Sequence, residues 1–158
     1  MKIDIVTKNK SDFLSLFKLA DDEKFIREYL EQGEIWALYD PDLKAALLFT
    51  ENTDNWLEIQ NLAVFEDFQG QGYGRYLLCH LLDSLESSNN YQGVLVRTDE
   101  YTAKFYEKCD FVEFKRVKNY FPEKYGYPVF DKGRELIDNV YLKRELRALA
   151  ISDLSFES

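Results

Sequence analysis

The stretch from Leu62 to Leu82 constrains this chain most. Glu58 to Val64 is a strand-like run that breaks at Phe65–Phe68, and Gln69-Gly70-Gln71-Gly72-Tyr73-Gly74 follows. Leucines then recur at Leu77, Leu78, Leu81, Leu82 and Leu85, the spacing of one helix face. A glycine-rich turn between a strand and a helix is a ready anion site. Backbone N–H groups point outward there, and the helix start adds partial positive charge. Glycines at 70, 72 and 74 remove Cβ atoms that would hold a phosphate away, and they permit positive φ. A diphosphate ligand is the first expectation. The alternative is a helix start that uses glycine for packing alone.

Three glycine patterns bind phosphate in different ways. The P-loop ends in Gly-Lys-Ser/Thr, and Tyr73-Gly74-Arg75 does not supply that. The dinucleotide fingerprint is G-x-G-x-x-G early in a βαβ unit, whereas here Gly70, Gly72 and Gly74 alternate in mid-chain. The third pattern, Q/R-x-x-G-x-G/A, is met by Gln69, Gly72 and Gly74. Ahead of it stands Glu58-Ile59-Gln60-Asn61-Leu62-Ala63-Val64. Behind it come Val94-Leu95-Val96-Arg97 and then Ala103-Lys104-Phe105-Tyr106-Glu107-Lys108-Cys109-Asp110-Phe111. With these pieces in this order, the chain resembles the GNAT superfamily of N-acetyltransferases, from about Glu34 to Leu146. The last piece is similar to the family's FYEKxGF signature.

The resemblance implies acetyl-CoA as co-substrate and no metal. Its pyrophosphate would lie on Gln69, Gly70, Gln71, Gly72, Tyr73, Gly74 and Arg75. Leu62, Ala63 and Val64 would offer backbone groups to the pantetheine arm, as an added strand does, while their side chains belong to the core. The Val64 N–H, or a neighbour's, would stabilise the carbonyl oxygen as charge develops. Glu58 matches the position of a glutamate general base in some members. A lysine-like amine has a pKa near 10.4 and must lose a proton before it attacks. The plainer reading of Glu58 is a solvated glutamate at a strand edge. Tyr106 aligns with the tyrosine that faces the CoA sulfur, and a phenol can donate to a leaving thiolate; the plainer reading is a core aromatic beside Phe105. Glu66 and Asp67 read as loop surface. Two positions depart from the family. Asp99 stands where the family often has Asn reaching the pantetheine, and Asp keeps an acceptor but loses the amide donor. Asp110 replaces a glycine, and Asp tolerates positive φ better than most residues.

Asn119 to Asp131, NYFPEKYGYPVFD, reads as a loop joining the last two strands. Its aromatics, Tyr120 and Phe121 foremost, suit an organic cation and mark the acceptor side. The alternative is packing on the sheet or on a second subunit, so a homodimer is compatible with the sequence.

The remaining features bound the answer. A chain of 158 residues reads as one domain over 1–147, with residues 148–158 expected to be a mobile tail. The net charge of −9 argues against nucleic acid as partner. Two cysteines, Cys79 and Cys109, and the single histidine, His80, give no metal spacing. Both cysteines read as small buried hydrophobes, and His80 as a surface residue. The start carries an acid and no long apolar run, and no apolar stretch is long enough to span a membrane. A cytoplasmic protein with no membrane partner is expected. The predicted order is β-α-α-β-β-β-α-β-α-β-β, an α+β fold with a single mixed, mostly antiparallel sheet flanked by helices. The expected activity is transfer of an acetyl group from acetyl-CoA to a primary amine of a small molecule or of a peptide or protein end, by direct attack in a ternary complex. The alternatives are a non-catalytic acyl-CoA-binding or sensing domain and a nucleotide-binding module.

Overall fold

A computed structural model describes residues 1–146. The tail expected at 148–158 lies outside the described residues. In chain order the elements are β1 (Lys2–Val6), α1 (Leu14–Phe17), α2 (Glu23–Tyr29), β2 (Glu34–Tyr39), β3 (Leu43–Glu51), β4 (Trp56–Val64) and α3 (Tyr73–Ser88). They continue with β5 (Gly93–Asp99), α4 (Ala103–Glu107), β6 (Val112–Val117), α5 (Tyr120–Tyr125), β7 (Val129–Asp131), β8 (Arg134–Leu136) and β9 (Asn139–Glu145). The chain divides into two compact units, Met1–Gln92 with Leu146, and Gly93–Glu145.

In the first unit, β1 to β4 form an antiparallel ladder in chain order. Both faces are covered, which is why β2 and β3 read as continuous apolar runs rather than alternating ones. Phe17, Ile26 and Leu30 from the α1–α2 region pack with Ile35, Ala37, Ala46, Leu48 and Ala63. The leucine stripe of α3 is buried, and α3 packs against β2, β3 and β4. The pairing of β3 with β4 slips once: Leu48 faces Asn61, but Phe49 faces Ile59. Gln60 is therefore the extra residue of a β-bulge, and the slip changes which face each side of β4 supplies.

In the second unit, β9 lies between β5 and β6, antiparallel to both, and α4 packs on β9. Val94, Val96, Val140 and Leu142 are among its buried strand residues. The segment expected to be a plain loop, residues 119–131, instead holds α5 and begins a β7–β8 hairpin. Phe121 and Tyr125 sit one helical turn apart and stack, with centroids 6.0 Å apart and planes 10° from parallel. Gly126, at φ +76°, stops the helix, and Lys132 and Gly133, both at positive φ, close the hairpin.

Candidate active site

The glycine turn is built from the end of β4. The Phe65 N–H donates to the Lys44 carbonyl (3.1 Å), a single 3-10 turn over Glu66–Phe68 follows, and Gln69 is extended. Gly70 (φ +80°) and Gly72 (φ +89°) take the left-handed conformation, and α3 begins at Tyr73. Gly74 sits in the first turn of α3 and is not among the positive-φ glycines. The expectation that all three glycines serve positive φ is corrected: two do. A Cβ added at Gly70 or Gly72 would meet no protein atom within 4 Å. Packing therefore does not require glycine at either position; the backbone conformation does, and the space beyond it is open. The Tyr76 N–H makes an early helical bond, to Gly72 (2.9 Å). The N–H groups of Tyr73, Gly74 and Arg75 precede it in the turn where a helix has no intrahelical acceptors for its donors. Gly72 at the N-cap brings no side chain to compete for them.

Side chains fasten this turn to its own unit. Gln69 Nε2 donates to the Val64 carbonyl (2.9 Å), and Gln71 Nε2 to the Asp67 carbonyl (3.4 Å). The Tyr73 hydroxyl donates to Asp40 Oδ2 (2.8 Å), which holds that phenol above its usual pKa. Phe68 meets Tyr73 edge-on, and the buried Lys44 ammonium lies 3.7 Å above the Phe68 ring centroid. Asp40 and Lys44, not singled out in the sequence, thus set the shape of the turn from the β2–β3 hairpin. Gln69 to Gly72 and Arg75 are exposed, and Tyr73 and Gly74 are half-buried.

On β4, only Ala63 of the three pantetheine candidates is core. Leu62 and Val64 are half-buried, which corrects the expectation that all three side chains are buried. Glu58 is half-buried, pairs with Thr50 across the ladder and accepts a hydrogen bond from Asn52 Nδ2 (3.0 Å). Asn61, overlooked in the sequence, is buried. Its Nδ2 donates to the Phe17 carbonyl (3.1 Å) and to the Tyr29 hydroxyl (3.0 Å), while its Oδ1 is buried without a hydrogen-bond partner. Tyr29 in turn donates to Asp21 Oδ2 (3.1 Å). The one available signal was an amide amid the apolar residues of β4.

Tyr106 lies in the second unit. It is buried, with its ring edge-on to Phe105 (5.1 Å) and Phe111 (5.5 Å). Burial first, then the nearby Cys109 and Asp99, pushes its phenol well above the ordinary range, so it stays protonated. Asp99 is buried and fully engaged: its carboxylate accepts from the Tyr101 N–H (2.9 Å), the Thr102 N–H (2.8 Å) and the Thr102 hydroxyl (2.7 Å). The residue caps the turn that leads into α4. Asp110 takes φ +68°, as expected, and the Phe111 N–H returns to the Tyr106 carbonyl (3.1 Å). Tyr120 and Phe121 are half-buried on α5, with Lys124 Nζ donating to the Tyr120 hydroxyl (2.6 Å).

His80 is exposed on α3, its ring edge-on to Trp36. Cys109 is buried, whereas Cys79 is only half-buried. Among the described residues no group of three His, Cys, Asp or Glu could hold a metal ion, and no helix is long and apolar enough to cross a membrane.

Residues 31–113 match the acetyltransferase (GNAT) domain. The chain belongs to the GNAT acetyltransferase family. It is thereby an acyltransferase by descent. It is 26% identical over 153 residues to an uncharacterized N-acetyltransferase, YvbK, of Bacillus subtilis strain 168, covering 92% of this chain and 97% of that one. Among solved structures, a GNAT family acetyltransferase from Elizabethkingia anophelis with acetyl-CoA bound is 27% identical, with a TM-score of 0.80 over 92% of this chain and 97% of that chain. A Bacillus subtilis acetyltransferase in complex with CoA is 25% identical, with a TM-score of 0.79 over 92% of this chain and 98% of that chain. These likenesses bear out the expected α+β fold class of the GNAT family.

Proposed function

We propose that this GNAT domain transfers the acetyl group of acetyl-CoA to a primary amine, on a small molecule or on a peptide or protein end, by direct attack in a ternary complex. The observation that carries the reading is the turn at Gly70 and Gly72, left-handed and unobstructed, opening onto the first N–H groups of α3. An anionic diphosphate is the ligand such a turn suits. Two relatives of similar fold were solved with CoA or acetyl-CoA bound, which supports the same co-substrate here.

Acetyl-CoA supplies an activated thioester; the chain supplies the rest. Gln69 to Arg75 hold the pyrophosphate, and the backbone of Leu62, Ala63 and Val64 pairs with the pantetheine arm. Glu58 takes the proton of the attacking amine, directly or through a water. A Val64 or neighbouring N–H steadies the carbonyl oxygen. Tyr106, protonated because it is buried, gives its proton to the departing thiolate as the C–S bond breaks. Tyr120 and Phe121 border the amine. Residues 1–147 act as one acetyltransferase domain, without a metal. A cytoplasmic setting belongs to this reading, because a multiply charged CoA thioester does not cross a bilayer unaided.

The test is thiol release from acetyl-CoA against a panel of primary amines, with Glu58→Gln beside the parent chain. Turnover with at least one amine, and a pH–rate profile that loses its acidic limb in Glu58→Gln, are expected. CoA binding without thiol release for any amine would instead mark a sensing domain. Equal stabilisation by CoA, ATP and NAD in thermal-shift assays would remove the assigned co-substrate.

A further inference from the structure

We infer that β6 is the seam of a homodimer, pairing antiparallel with β6 of a second copy. Among the described strands β6 pairs with β9 alone, so its other edge presents backbone N–H and C=O groups. Val112 to Arg116 are all exposed, and two of them are large apolar residues, Val112 (64%) and Phe114 (48%). Such an edge calls for a cover, and β6 carries the complement of itself.

The reason is a bulge. Val112, Lys115 and Val117 face Lys143, Tyr141 and Asn139, alternate residues of β9 and hence one face. Glu113 and Arg116 face Leu142 and Val140 on the other. Phe114 is the extra residue, and its ring meets Tyr141 (6.2 Å) and the Lys143 ammonium (5.6 Å), which puts it on the first face. The order of faces from 112 to 117 is therefore the same in either direction. Directly opposed residues of an antiparallel pair share a face. A two-fold axis through the Phe114–Lys115 peptide meets that condition along the whole strand, and a regular strand of this length about the same axis would not.

That register sets Glu113 against Arg116, Phe114 against Lys115, and Val112 against Val117, each pair twice by symmetry. The first is an ion pair, the second a ring with a cation, the third two apolar side chains. Within one copy, Arg116 already reaches Glu113 (2.9 Å) and Asp138 (3.3 Å) across the strand surface, so its guanidinium is presented on the face where a partner's Glu113 would arrive.

Sedimentation equilibrium on the full chain, over about 1–100 µM, tests this with two charge variants. The parent chain is expected to dimerise. Glu113→Arg places Arg against Arg, and Arg116→Glu places Glu against Glu, so each variant alone should dissociate at least about tenfold more readily. An equimolar mixture of the two restores both ion pairs, and should regain the parent's dimer as a heterodimer. Both sites are exposed, and far-UV circular dichroism checks that each variant is folded. A parent that stays monomeric over this range overturns the proposal. So does a dimer indifferent to either swap, or a mixture that fails to recover it.

Discussion

Glu58 and Asn61 stand three residues apart in β4, yet face the same side of the sheet. Glu58 pairs with Thr50 and Asn61 with Leu48, which are alternate residues of β3, and Gln60 bulges between them. In a regular strand residues three apart point to opposite faces. The shared face is the one that Phe17, Ile26 and Leu30 cover around Leu48. An amine delivered to Glu58 would approach on the side where Asn61 fastens α1 and α2, so the stability of that fastening bears on the acceptor side of the reaction.

Asn61→Leu should lower stability by about 1–3 kcal/mol, because the Phe17 carbonyl and the Tyr29 hydroxyl lose a buried donor. Tyr29→Phe, which keeps the ring and removes the hydroxyl between Asn61 and Asp21, should cost about 1 kcal/mol. Urea unfolding measures both. Midpoints unchanged in both variants would mean that the polar chain does not hold the helices.

Gly72→Ala should cost about 1–2 kcal/mol through backbone strain at φ +89°, with no steric clash behind it. Gly72→Glu carries the same strain and adds a negative charge at the turn. If the turn holds a pyrophosphate, calorimetry should find CoA affinity falling far more for Glu than for Ala. Equal losses would place the diphosphate elsewhere.

Asp99→Ala should destabilise by about 1–3 kcal/mol, because the Tyr101 and Thr102 N–H groups and the Thr102 hydroxyl lose their acceptor. Asp99→Asn, which keeps one acceptor oxygen, should recover part of that. If Asp99 serves the turn and not the pantetheine, CoA affinity measured on folded protein should stay near the parent value in both variants.

Tyr106 should give a high-pH signature. Its folded pKa lies above the unfolded value near 10, so the folded state holds the proton more tightly. That contribution is full below pH 10 and is lost as pH rises beyond it, and Tyr106→Phe should flatten the loss. Tyr91, pushed up to about 12 chiefly by its hydrogen bond to Glu51, adds a decline of the same sign, so the comparison must be made against the parent chain. Turnover in Tyr106→Phe should fall with CoA affinity nearly intact.

Local chemistry made much of this molecule readable. Trp56 to Val64 was legible because its apolar residues are long in β-formers, and α3 because its leucines keep helical spacing. Positive φ at Asp110 followed from the helix end it sits on. α5 and the β7–β8 hairpin escaped notice, although Tyr125-Gly126 and Lys132-Gly133 were turn signals, because a run of aromatics carries no clear period.

The sequence by itself determined the glycine turn, the strand before it and the helix after it, since φ preferences and side-chain spacing act over a few neighbours. It also held the motifs that mark a GNAT acetyltransferase. Only the tertiary structure decided which faces Glu58 and Asn61 share, and that Asp40 and Lys44 brace the turn. Each of these depends on the register between strands or on a partner far along the chain, and a one-residue slip in pairing would reverse every face.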